Sequence, residues 1–360
     1  MMIKQFYILF LVVLLSACGE NEPYEDAPMA DDPLEETLEV DVALNLEIPD
    51  YFPDLTYDLS QNPPTQNGFV LGKKLFYDGR LASDGVVSCG FCHIQAFAFT
   101  HHTHITSHGV NGAIGKRNAQ PLHNLAFMEE FTWDGAAGHL DAQPIIPITA
   151  EVEMNNSFNN IVTTLSQDPE YVEMFAAAFE NGQIDPDNIL KALSQFMLMM
   201  VSADSKYDRF LRNDGTTLTT DETAGLGLFE AKCSSCHSGV LQTDQTYRNN
   251  GLSIDPEFND VGRFRVTGQP SDSLKFKVPS LRNIEATFPY MHDGRIPDLE
   301  AVLDHYSDGI VDSPTLDPLL RNADGSLGIP LTEAEKAQII AFLKTLTDDN
   351  FIFDERFAEF

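Results

Sequence analysis

From Phe158 onward the apolar positions recur with the period of a helix. Phe158, Ile161, Val162 and Leu165 fall at i, i+3, i+4 and i+7, which places all four on one face. Asp168-Pro169 predicts the start of a second helix, with Tyr171, Phe175, Ala178 and Phe179 on its buried side, because an acceptor cap is followed by the residue whose fixed φ suits a first turn. Asp185-Pro186 repeats the signal ahead of Ile189, Leu193, Phe196, Met197 and Met200. Near the C-terminus Thr332 and Glu335 form a capping box before Ile339, Ile340, Leu343 and Leu346. Strand patterns are scarce, so the expected class is mainly α with long loops and little β. Met197, Met199 and Met200 lie on apolar stripes and read as core rather than as ligands.

The N-terminus carries a different pattern. Lys4 precedes an apolar run from Phe6 to Leu15, too short to span a bilayer, and Ser16-Ala17-Cys18 follows. Residues 1–17 are therefore expected to be a secretory signal, and Leu15-Ser16-Ala17-Cys18 resembles a lipobox, which makes Cys18 the expected lipid anchor on the periplasmic side of a bacterial membrane. The alternative is an ordinary signal peptide with an incidental cysteine. Residues 18–50 are acidic, dotted with Pro23, Pro28, Pro33 and Pro49, and read as a flexible tether.

The whole chain holds 22 basic against 55 acidic residues, a formal charge of −33. That field opposes nucleic acid and anionic membrane, leaving the lipid anchor as the only membrane contact, and it favours cationic partners such as a basic cytochrome c. It also serves plain solubility.

The strongest chemical signal is a repeated string. Cys89-Gly90-Phe91-Cys92-His93 and Cys233-Ser234-Ser235-Cys236-His237 each read as a c-type haem attachment sequence, two thiols for the vinyl groups and an imidazole for the iron. A zinc site or a redox disulfide is the rival reading, and a His directly after the second Cys, found twice, argues against it. Five cysteines are present, so the two strings and Cys18 use them all.

Each string is followed by a related block. Pro121-Leu122-His123-Asn124, Trp133-Asp134-Gly135 and Leu140-Asp141-Ala142 in the first half match Pro279-Ser280-Leu281-Arg282-Asn283, His292-Asp293-Gly294 and Leu299-Glu300-Ala301 in the second. The chain thus reads as two copies of one haem domain, residues 51–210 and 211–347, followed by a tail over 348–360. Aligning the Asp-Gly pairs sets Pro147 opposite Tyr306. A phenol can ligate ferric iron and proline cannot, so one copy is expected to have an open sixth position and the other a filled one. Tyr306 also fits the core face of Leu299, Val302 and Leu303, which is the competing reading.

With these residues in view, the chain over about 66–347 resembles the bacterial dihaem cytochrome c peroxidase family, which includes the methylamine-utilisation oxidase MauG. The resemblance rests on Leu71-Gly72, Leu75-Phe76, Asp78 and Arg80-Leu81; on Arg117-Asn118-Ala119 and Trp133-Asp134-Gly135; and on Glu151-Val152-Glu153-Met154 and Pro289-Tyr290-Met291-His292-Asp293-Gly294. It implies two cytochrome c-like domains, with His93 the proximal ligand of a peroxidatic haem and His237 that of an electron-transfer haem. It implies Trp133 as a bridge between the haems, Glu153 as distal acid-base residue with Gln143 and Pro147 in the same pocket, and a calcium ion at Asn118, Thr287 and Pro289. Four histidines occupy Thr100–Gly109, and His108 best matches a distal ligand that some family members place there; adventitious metal binding is the alternative for this loop. The family usually has methionine where Tyr306 stands, with His305 a rival ligand, and usually has arginine where Ala136 stands.

The activity implied is reduction of hydrogen peroxide to water. Electrons are expected from a small redox protein, a cytochrome c or a copper protein, entering at the C-terminal haem. Tyr306 also suggests a MauG-like oxidase that draws electrons from a protein or other reductant through a high-valent state. A non-catalytic electron-transfer cytochrome is the third reading, opposed by Glu153 and Pro147 together. The resemblance admits a homodimer.

Overall fold

Two helix crossings, each made close by a glycine, organise the molecule. In the computed structural model, which describes residues 41–101 and 104–359, the Gln66–Tyr77 helix crosses the Pro186–Leu198 helix at Gly72. A methyl group at Gly72 would lie 2.0 Å from the Ala192 carbonyl. The Thr220–Lys232 helix crosses the Glu333–Lys344 helix in the same manner, with Gly225 placed so that a methyl would come 1.9 Å from the Gln338 carbonyl. Four residues beyond each glycine a phenylalanine, Phe76 or Phe229, turns into the core.

Each crossing seeds a hydrophobic core. The first gathers Leu71, Leu75, Phe76, Phe99, Phe127, Ile161, Tyr171, Phe175 and Phe196; the second gathers Phe229, Tyr290, Leu299, Leu303, Ile339, Phe342 and Leu343. Met197 and Met200 are buried in the first core, as their apolar stripe predicts. The expected helix starts are present: Asp168 caps Pro169–Ala178, Asp185 caps Pro186–Leu198, and Thr332 and Glu335 cap each other's backbone ahead of Glu333–Lys344. Among the described residues the sheet is one pair of two-residue strands, Tyr247–Arg248 antiparallel to Phe276–Lys277. The mainly α class with little β stands.

The duplication is visible in the backbone. Antiparallel bridges Phe131↔Ala137 and Tyr290↔Ile296 close equivalent turns. Within them Thr132 and Met291, and then Gly135 and Gly294, take positive φ at matching places. Asn124 and Asn283 are likewise both left-handed. These two buried asparagines meet one junction: Asn124 exchanges hydrogen bonds with the Ser202 backbone, and Asn283 donates to Ser202 Oγ and accepts from Asp348 N at 2.8 Å. Ser202 Oγ in turn donates to Asp348 Oδ2 at 2.9 Å.

The ends of the chain depart from the sequence expectation in two respects. Residues 41–50, read as tether, are docked: Leu44 N donates to Pro64 O, Gln66 N to Val42 O, and Leu46 and Ile48 pack on the first core. Residues 348–360, read as a tail, return to that core through Phe351, Ile352 and Phe357, all nearly fully buried. The apolar side chains in both segments supply the reason. Tyr207, placed before the 210/211 boundary, packs edge-on against Phe342 of the second core. Residues 1–40, with the signal segment, Cys18 and most of the tether, lie outside the described residues, as do His102 and Thr103. No described helix is long and apolar enough to cross a membrane.

Candidate functional site

The second Cys-x-x-Cys-His string begins at the C-cap of the Thr220–Lys232 helix, whereas the first forms a short helical turn of its own. Ser88 caps the Cys89–Cys92 helical turn, and Gly90 lets that turn lie on the ring of Tyr77, since a methyl there would be 2.4 Å from Tyr77 Cδ1. His93 follows as the C-cap. Its Nδ1 donates to the Phe99 carbonyl at 2.7 Å, which fixes the proton on Nδ1 and leaves Nε2 with its lone pair. His237 Nδ1 makes the corresponding bond to the Gln242 carbonyl at 3.2 Å. Burial holds both imidazoles below the ordinary histidine pKa, so both rings are neutral at neutral pH. Cys89, Cys92, Cys233 and Cys236 are all free thiols, with burial pushing Cys89 up to about 12. Paired thiols beside a neutral imidazole with an oriented Nε2 fit a c-type haem in each half.

Around the first string the chain builds an acid pocket. Pro147 lies in the Ile145–Thr149 helix, and its carbonyl accepts from Met154 N while Ala150 O accepts from Glu153 N, closing the turn that carries Glu153. Gln143 sits half-buried just ahead of that helix. The acid is held from the other side by the loop after the haem string. Ser107 Oγ donates to Glu153 Oε1 at 3.3 Å, and Val110 N donates to Glu153 O at 2.8 Å. Gly109 permits this approach, because a Cβ there would come 2.1 Å from Val152 O and 2.5 Å from Glu153 O. Burial raises the Glu153 carboxyl above the usual range, against the opposing Ser107 bond and Arg117 charge. Glu153 in turn acts on the Cys92 thiol, so the acid lies within electrostatic reach of the first attachment site. Glu151 is solvent-exposed.

The second string faces a different group. Tyr306, on the Leu299–Asp308 helix, lies within electrostatic reach of both Cys236 and Cys233, and burial pushes its phenol up to about 12. The ring of His305, the rival, is engaged elsewhere through Nε2, which donates to the Asn250 carbonyl at 3.1 Å.

Trp133 ties the halves together. Its Nε1 donates to Asn118 O at 2.9 Å, and its own carbonyl accepts from Lys277 N at 2.7 Å. Asn118 N donates to His292 O, and His292 stacks on Phe276 with centroids 3.7 Å apart. The next residue, Asp134, is completely buried. Burial works to raise its carboxyl, but Arg117, Thr132 and Arg265 outweigh that and hold it below the ordinary range. Arg117 Nη1 lies 2.8 Å and Arg265 Nη2 2.6 Å from it. This accounts for the arginine missing at Ala136, which is exposed: in the first copy Arg265 reaches across from the second half, whereas in the second copy Arg295 itself pairs with Asp293. Sequence reasoning missed Asp260, which clamps Arg117 through two bonds of 2.6 and 2.8 Å and leaves no motif. Ser107 lies in the histidine-bearing Thr100–Gly109 stretch and Arg117 in Arg117-Asn118-Ala119, and neither motif marks a role toward Glu153.

Asn118, Thr287 and Pro289 are all buried, and Asn118 Nδ2 donates to Ile105 O at 3.2 Å. His108 is held at an antiparallel bridge to Ile114, and its carbonyl accepts from Cys92 Sγ at 3.5 Å. Its ring stands beside His101 and His104, with ring centroids 5.6 and 4.2 Å away. Burial, then its two neighbours, bring His101 down to about 4.

Comparison with known proteins agrees with this architecture. The family model for di-haem cytochrome c peroxidase matches residues 66–216. The methylamine utilization protein MauG of Methylorubrum extorquens is 36% identical over 296 residues, covering 79% of each chain. The cytochrome c551 peroxidase of Nitrosomonas europaea is 34% identical, covering 78% of this chain and 79% of its own. A crystal structure of a MauG-like protein associated with microbial copper homeostasis superposes with a TM-score of 0.78 at 35% identity, covering 88% of this chain and 99% of that one. The chain belongs to the dihaem cytochrome c peroxidase and MauG family. It is accordingly an oxidoreductase of a two-haem class.

Proposed function

We propose that the chain reduces hydrogen peroxide to water, two electrons and two protons converting each peroxide to two waters. Cys89, Cys92 and His93 hold the haem at which peroxide reacts, and Cys233, Cys236 and His237 hold the haem that receives electrons from a small redox protein. The observation that carries this reading is the buried Glu153 carboxyl, held by Ser107 beside the first attachment site in a turn closed onto Pro147, which offers no ligand. The bound haems supply the electrons. Glu153 takes the proton from one peroxide oxygen and returns it to the departing oxygen, and Ser107 keeps the carboxyl aimed. Trp133, bonded to both halves, is the bridge for the electrons. We assign the lipid anchor to Cys18 on the periplasmic side and a calcium ion to Asn118, Thr287 and Pro289.

The test is steady-state peroxide reduction by the haem-loaded protein with a reduced small cytochrome or dye. Glu153→Gln is expected to lower turnover by about 10²–10⁴-fold, the range of positioned acid-base catalysis. Full turnover in that variant removes Glu153 from the chemistry.

A second reading has its own support. Tyr306 facing Cys233 and Cys236, together with the likeness to MauG, favours an oxidase that draws electrons from a protein substrate. Oxidation of a reductant protein that proceeds with peroxide, while small cytochromes are not consumed, selects this reading over the first.

A further inference from the structure

The loop after the first haem string carries a cluster of ligating side chains to which the proposed peroxide chemistry gives no role. His101, His104 and His108 bring one ring nitrogen each to within 4.8 Å of one another. We propose that these three imidazoles form a mononuclear site for a borderline divalent transition-metal ion of the zinc or copper class, separate from both haem irons.

The ring environments argue for a ligand. His101 is 3% exposed and its Nδ1 has no hydrogen-bond partner; the Nδ1 of His108 is likewise buried without one. Buried polar nitrogens are rarely left so, since each unmade bond costs about 1–3 kcal/mol. A metal ion satisfies both at once. His104 is exposed and gives the ion an entry from solvent. Three neutral nitrogen donors suit zinc or copper, whereas calcium and magnesium take oxygen ligands. Bonds of about 2.0–2.1 Å bring ligand atoms closer together than that limit, so the rings would draw in on binding.

The backbone is already set for such a site. The His108 bridge to Ile114 and the contact of Gly109 with the Glu153 backbone hold one ligand in place. His101 follows Thr100, which is bridged back to Ile94 at the first haem string. Only the rim ligand, His104, is left to move. The site therefore sits on the loop that also carries Ser107, the partner of Glu153.

The haem-loaded full chain, stripped with a chelator that leaves haem in place, is titrated with Zn²⁺ and separately with Cu²⁺. The expected result is one added ion per two haem irons after gel filtration, and a Cu²⁺ electron paramagnetic resonance signal split by imidazole nitrogens. His104→Ala, on the surface, is expected to weaken binding at least tenfold with both haem spectra unchanged, and His101→Ala to do the same. Equal stoichiometry and affinity in wild type and both variants overturns the site. So does a His108→Ala protein that binds Zn²⁺ as wild type does while losing a low-spin signal of the first haem, because that result makes His108 an iron ligand instead. Neither outcome depends on peroxide turnover, so the proposal stands or falls apart from the assigned activity.

Discussion

In the proposed function Glu153 serves the first haem centre and Tyr306 the second. Glu153 is pushed toward protonation by burial, so its basic form is lost at a pH above the ordinary value of 4.5. The sign follows directly. As pH falls through this raised value the carboxylate gains a proton, the base disappears and turnover drops. An acidic limb of kcat/KM above pH 4.5 is expected in wild type and absent from the residual activity of Glu153→Gln, measured across the pH range with the donor held constant. Tyr306 carries the opposite assignment. Its buried phenol stays protonated at neutral pH unless a cation lies against it, and a ferric iron bound by His237 would be such a cation. Tyr306→Phe should change the absorption spectrum of the second haem and raise its reduction potential in a redox titration, leaving the first haem as it was. Identical spectra and potentials would return Tyr306 to the role of a core residue.

The elements explain what could be read in advance and what could not. The helices at Phe158–Leu165, Pro169–Ala178, Pro186–Leu198 and Glu333–Lys344 were legible because each combines an apolar stripe with a capping residue, local signals that need no partner. The Thr220–Lys232 helix was not. Its Gly225 and Gly227 look like breakers, and the reason for Gly225 lies on another helix more than a hundred residues away. The two repeated Cys-x-x-Cys-His strings and the matching Asp-Gly turns were legible through spacing and duplication, and Glu153 was singled out through the resemblance, whereas Asp260 and Arg265 act on Arg117 and Asp134 only through the fold. Gly225→Ala tests the crossing. The added methyl meets backbone rather than a flexible side chain, so a loss of about 1–3 kcal/mol in urea unfolding is expected, and an unchanged midpoint would show that the helices can separate at no cost.

At the scale of the whole molecule the two cores are tied by polar and apolar clasps. Asn124 and Asn283, equivalent in the duplication, hold Ser202 and Asp348, the two points where the chain passes from one core to the other. Beyond Asp348 the last residues close on the first core. Phe357 packs against Phe69, Phe99 and Phe196, Tyr77 Oη donates to its carbonyl at 2.7 Å, and Gln95 Nε2 donates to Asp354 O. Truncating so large a buried ring costs about 3–5 kcal/mol, so Phe357→Ala should lower the denaturation midpoint with the loss reported by the first haem's absorbance band. A midpoint unchanged from wild type would make the segment an ornament.

That returning segment sets an order of assembly. A growing chain presents its N-terminal residues first, yet the first core, against which Cys89 packs, lacks Phe351 and Phe357 until the segment beyond Leu346 has followed. The second core needs nothing beyond Leu346 and can close earlier. The core beside the Cys-x-x-Cys-His string met first along the chain is thus the later of the two to be sealed.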